Sequence, residues 1–110
     1  PLKMDVIRDR GSMGREVEDG MIENVYRLQI MNISEESQRY KLSVEGIDSI
    51  RLQGSDEVVL GATESRAVPV AVRTDNGQGQ HGSNKIYFTL TSIDNPDVKV
   101  REKAVFFVPR

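Results

Sequence analysis

A chain of 110 residues has the usual size of one domain and can bury enough surface to fold without disulfide or metal staples. Its 15 Lys and Arg are interspersed with 17 Asp and Glu, a net charge of −2, which offers no long-range field to nucleic acid or anionic lipid. There is no Cys, which excludes disulfides, thiolate zinc sites, iron–sulfur ligation and thiol nucleophiles together.

Leu2, Met4 and Val6 open the chain with period-two spacing, the pattern that sends successive side chains to opposite faces of a strand. Asp9 to Gly20 is rich in charge and Gly and reads as irregular. The clearest strand follows, with Tyr26, Leu28 and Ile30 on one face and Arg27, Gln29 and Met31 on the other. After the polar turn Ser34-Glu35-Glu36-Ser37, Tyr40, Leu42 and Val44 point inward, Arg39, Lys41, Ser43 and Glu45 outward, and Gly46 closes the run. Short segments around Ile50 and Leu52, then Val58 and Leu60, are separated by Gly54 and Gly61. Val68, Val70 and Val72 alternate with Ala67, Pro69 and Ala71. Proline cannot donate a ladder hydrogen bond, so this strand is expected at an edge or a bulge. Thr74 to Asn84 is Gly-rich and polar and reads as a mobile loop. Ile86, Phe88 and Leu90 form another alternating set, and the turn Asp94-Asn95-Pro96-Asp97 leads to a last strand from Val98 to Val108.

No window keeps helical spacing over three turns, so the chain reads as all-β, with seven or eight short antiparallel strands. Clean alternation and length favour an immunoglobulin-like β-sandwich, although the Cys…Trp…Cys core of antibody domains is missing. Parity predicts a core of Tyr26, Leu28, Ile30, Leu42, Val44, Val68, Val70, Ile86, Phe88, Leu90 and Phe106. In the last strand Val105 and Phe107 are also apolar, and a bulge there would shift the parity. No apolar run approaches the roughly 18 residues needed to cross a bilayer, and no signal peptide is visible. A start at Pro1 rather than Met reads as one domain, residues 1–110, of a larger protein.

Residues able to do chemistry are few. His81, the only His, sits in the Gly-rich loop without a neighbouring carboxylate and reads as exposed loop content. Gly77-Gln78-Gly79-Gln80-His81-Gly82 resembles a phosphate loop only superficially, because a strand rather than a helix is predicted to follow. The four Met could suggest soft copper ligation, but Met4, Met13, Met21 and Met31 are spread rather than clustered. The carboxylate pairs Glu35-Glu36, Asp56-Glu57 and Glu16 with Glu18 fall in polar turns, as solvated charge does, and Asn32-Ile33-Ser34 is a chance-level match to a glycosylation acceptor. No catalytic, cofactor-binding or metal-ligating residue is therefore expected. The charged run Arg8, Asp9, Arg10, Arg15 and Glu16 has two readings. One is an ion-paired loop, with Arg8, Arg10 and Glu16 as members. The other is a recognition surface, where arginine makes planar, bidentate contacts.

The run from Pro1 to Gly11, then Arg15-Glu16-Val17, Gly20, Ile22 to Tyr26, Leu28, Ile30, Asn32 and Tyr40 to Gly46, resembles the C-terminal immunoglobulin-like domain of FixG/CcoG-type cytochrome oxidase accessory proteins. Gly14 departs from that pattern, which has an aromatic residue there. The resemblance implies a periplasmic module of a bacterial inner-membrane protein. It implies a parent with two [4Fe–4S] clusters that assists assembly of a cbb-type oxidase by reducing copper. The cluster cysteines of such proteins are not in this chain, so no cofactor is expected in this domain. Its expected partners are the rest of the parent protein and oxidase assembly factors or subunits, with no nucleic acid and no membrane insertion by this segment. The other reading is a free-standing extracytoplasmic Ig-like module for carbohydrate or another ligand, which would need exposed aromatic platforms.

Overall fold

A computed structural model describes residues 2–9, 11 and 13–110. Nine strands follow in order: β1 (Leu2–Arg8), β2 (Arg15–Glu16), β3 (Ile22–Asn32), β4 (Gln38–Glu45), β5 (Arg51–Gln53), β6 (Glu57–Leu60), β7 (Ser65–Thr74), β8 (Gly82–Ser92) and β9 (Lys99–Val108). All pair antiparallel, in a five-stranded sheet of order β1-β3-β7-β5 with β2 also on β3, and a four-stranded sheet of order β6-β4-β8-β9. This is the immunoglobulin-like sandwich that alternation predicts. The strand beyond the expected seven or eight is β2, inside the segment read as irregular. It pairs Arg15 with Glu23 and so continues along β3 where β1 stops at Arg8 opposite Tyr26.

Inward parity holds through every long strand. Tyr26, Leu28, Ile30, Leu42, Val70, Ile86, Phe88, Leu90 and Phe106 are buried as expected, while Val44 and Val68 are only partly buried against the core. Met4, Tyr40, Val58, Leu60, Val72 and Val108 complete it. Tyr26 of one sheet meets Phe88 of the other edge to face, with ring centroids 5.1 Å apart, the arrangement favoured by aromatic quadrupoles. No bulge disturbs β9: its register with β8 is continuous from Lys99 to Val108, which settles the parity in favour of Phe106.

Against the expectation of an edge or a bulge, the strand carrying Pro69 is β7, which lies between β3 and β5 in an unbroken register. β5 covers β7 only at Ala71–Arg73, so at Pro69 the strand has β3 alone as neighbour and the missing N–H leaves no ladder bond unmade. The Gly-rich loop is shorter than its composition suggests, because β7 runs to Thr74 and β8 begins at Gly82. Asn84 organises what remains: its Oδ1 accepts the Gln80 N–H (2.8 Å), and its Nδ2 donates to the carbonyls of Gln80 (2.8 Å) and Phe106 (3.2 Å). Gly14 is buried with φ +68°, and a Cβ there would stand 2.7 Å from the Phe107 ring.

Candidate interaction surface

Of the five charged residues singled out in the sequence, the four that are described do not form one patch. Arg8 is the last residue of β1, and Asp9 continues the ladder by donating its N–H to the Val25 carbonyl (2.9 Å), while its carboxylate accepts the Gly11 N–H (3.0 Å). With Ile7, Val25, Tyr26, Arg27 and Pro69 they line a surface concavity of about 450 Å³. Ile7, Arg27 and Pro69 form one rung across the outer sheet face, and Ile7 is 43% exposed, unusual for an isoleucine. Arg8 and Arg27 have no ion-pair partner among the described residues. Arg10 lies outside the described residues.

Arg15 is engaged elsewhere. Its Nη2 lies 2.8 Å from Glu23 Oε1, and Arg73 Nε lies 2.8 Å from Glu23 Oε2. Arg73 also reaches Glu18 at 2.9 Å. One rung, Arg15–Glu23–Arg73–Arg51, therefore crosses four strands with a carboxylate between two guanidiniums. Arg51 extends it to Asp75 (3.0 Å) and to the Met21 sulfur (3.0 Å). The Glu23 side chain is only 6% exposed. Burial pushes its pKa up, but the hydrogen bonds and charges of Arg73 and Arg15 together outweigh burial and hold it below the ordinary carboxylate range. An ion-paired arrangement is present in this segment, but not through the members expected of it. Arg15 and Glu18 carry it, whereas Arg8 and Glu16 make no ion pair among the described residues. Glu16 is exposed and lines a separate concavity of about 260 Å³ beside Gly20, the 76–79 loop and His81.

Several polar side chains are committed to the fold. Asn24 is fully buried, and its amide donates to the Phe107 carbonyl and accepts the Phe107 N–H, both at 3.0 Å. Tyr26 donates its hydroxyl to the Val105 carbonyl (2.8 Å), and burial pushes its pKa well up. These two residues reach from one sheet to the outer edge of β9, satisfying backbone groups that an edge strand otherwise leaves open. Asn32 is also fully buried. It donates to the carbonyls of Glu36 and Gly61 and accepts the Ser34 N–H, so its amide is not presented for glycosylation. His81 is exposed, with Nδ1 3.1 Å from the Pro109 carbonyl. Met4 faces the core and Met31 the outer face of the same sheet, so these two methionines do not converge. Iron–sulfur clusters take thiolate ligands, and a chain without Cys does not fit them.

Sequence reasoning missed Arg27, Glu23, Glu18 and Arg73. Arg27 shows there only as one outward residue of a strand, and Arg73 meets Glu23 across 50 positions of chain.

Comparison with known proteins places these features. A family model described as "IG-like fold at C-terminal of FixG, putative oxidoreductase" matches residues 1–109. The chain belongs to this FixG C-terminal family. The FixG-type domain is similar to a solved structure, "Crystal structure of FixG-related protein from Vibrio parahaemolyticus", at 27% identity and a TM-score of 0.86, over 98% of this chain and 96% of that one. No curated protein sequence matches it significantly. Asn24, Tyr26 and Asn32 tie its sheets and loops together. Among its described residues, no helix is long and apolar enough to cross a membrane. Its aromatic side chains Tyr26, Tyr40, Phe88 and Phe106 are buried, and Tyr87 lies under the Arg101 guanidinium, 3.7 Å from ring centroid to Cζ.

Proposed function

We propose that this chain is a non-catalytic interaction domain of a membrane-bound iron–sulfur protein of FixG type, on the periplasmic side, which helps its parent assemble a cbb-type oxidase and reduce copper. Family membership over residues 1–109 carries the reading. The use of the polar residues supports it: Asn24, Tyr26, Asn32 and Glu23 are spent on holding strands together, leaving a surface rather than a reaction centre. The buried aromatics weigh against a sugar-binding module, which stacks its ligand on exposed rings. Within this role the Arg8–Asp9–Arg27 concavity is the docking candidate, since two arginines stand beside an exposed isoleucine.

Deleting the domain from the parent tests the division of labour. Cluster absorbance near roughly 400 nm should persist, because the thiolate ligands lie elsewhere, while oxidase assembly falls. Loss of the clusters would refute the reading. Arg27→Glu should leave the melting temperature unchanged and reduce assembly. In the isolated chain, stoichiometric Cu(I) or Cu(II) binding at sub-micromolar affinity, abolished by His81→Ala or by Met substitution, would make the domain a copper handler instead.

A further inference from the structure

Strand alternation sorts charges that the sequence mixes. Arg39, Lys41, Lys85, Lys99, Arg101 and Lys103 are exposed at outward positions of the four-stranded sheet, against only Glu45 and Glu57 from the same strands. A molecule of net charge −2 thereby presents one basic face. Three rungs organise it: Lys41–Thr91–Lys99, Ser43–Thr89–Arg101 and Glu45–Tyr87–Lys103. In the first two, small hydroxyl side chains floor the space between β4 and β9. Arg39, Lys41 and Arg101 have ion-pair partners in Asp94 (3.0 Å), Asp56 (3.6 Å) and Glu45 (3.4 Å). Lys85, Lys99 and Lys103 have none among the described residues.

Lys99, Arg101 and Lys103 occupy successive outward positions of β9, about 7 Å apart from strand geometry. An extended segment laid along that strand repeats its own same-face side chains at the same interval. We propose that this face docks an extended acidic protein segment carrying Asp or Glu at every second position. Fixed spacing and hydroxyl donors and acceptors suit carboxylates held on a backbone better than a fluid layer of lipid headgroups. The inference rests on the interaction role proposed above and adds its partner class.

The test titrates the 110-residue chain with two synthetic peptides of one composition, one alternating Glu with Thr and one with the Glu in a block. Vesicles of phosphatidylcholine, with and without phosphatidylglycerol, form a parallel arm. The alternating peptide should bind more tightly, shift the backbone amide signals of Lys99, Arg101 and Lys103, and weaken with salt. Lys99→Glu/Lys103→Glu should lose about tenfold or more in affinity. Lys3→Glu/Arg66→Glu, the same charge change on the other sheet, should lose little. Should the reversal variant melt early, Lys99→Gln/Lys103→Gln replaces it with a smaller expected loss. Failure of both peptides to bind, equal binding of the two, equal losses in both variants, or binding to anionic vesicles alone would each overturn the proposal. The two readings fail separately. If deleting the domain impairs assembly but Lys99→Glu/Lys103→Glu in the parent does not, this face is refuted and the interaction role stands. If deletion has no effect, the role itself fails.

Discussion

Asn24→Ala removes the most concentrated polar contact between the two sheets. In the parent, the Asn24 amide makes two hydrogen bonds of 3.0 Å to the N–H and C=O of Phe107, at a fully buried position. These groups lie on the side of β9 away from β8, so the variant leaves both without a partner. A stranded backbone group costs about 1–3 kcal/mol, and partial relaxation at the strand edge places the pair at about 2–4 kcal/mol. For a domain of this size, 1 kcal/mol moves the melting temperature by about 4 °C, so a fall of about 8–16 °C is expected. Tyr26→Phe gives an internal comparison. It removes one bond, to Val105 two residues away on the same edge, and should cost about 1 kcal/mol. The double variant should be non-additive, because both side chains hold one short stretch of β9. Thermal melts followed by circular dichroism give the stabilities, and exchange at the Phe107 amide reports the local effect. An Asn24→Ala variant within about 0.5 kcal/mol of the parent, with unchanged Phe107 exchange, would refute the clamp.

Gly14→Ala should destabilise by about 1–3 kcal/mol in the same melts, since φ is +68° and the new Cβ would stand 2.7 Å from the Phe107 ring. A stable Gly14→Ala protein would show that the loop has another accessible conformation. Glu23→Gln tests the rung of charges by its pH dependence. The folded-state pKa of Glu23 is depressed, so its stabilisation is present above the ordinary carboxylate pKa and is lost as pH falls through the folded value. The variant should therefore melt below the parent at neutral pH and converge with it in acid; a constant gap would contradict the ion-pair account. Leu28→Ala and Phe88→Ala should each cost about 2–5 kcal/mol through lost transfer energy and a cavity. Parental melting of either would refute the parity assignment.

Alternation is a property of neighbouring residues, and so the strands, their inward faces and the sandwich class can be read from the chain alone. Tyr26, Leu28 and Ile30, or Ile86, Phe88 and Leu90, declare their face without knowledge of their partners. Pro69 declares only a missing N–H; that β7 nevertheless lies inside the sheet depends on how short β5 is. The charged surface is different. Glu23 lies between Arg15 and Arg73 only because β2 and β7 flank β3 in one particular register. Arg8 and Glu16, promising in sequence, are carried to separate concavities by the path of the chain between β1 and β3. Asn24 looks like one more polar residue at the start of a strand until the opposite sheet brings the edge of β9 within reach. The balanced charge of the chain likewise conceals the basic face, since Lys41, Lys85, Lys99 and Lys103 become neighbours only when β4, β8 and β9 pair. Period-two patterning decides which side of a strand a residue occupies. Strand order and register decide which distant residues it meets there, and that juxtaposition is a tertiary property.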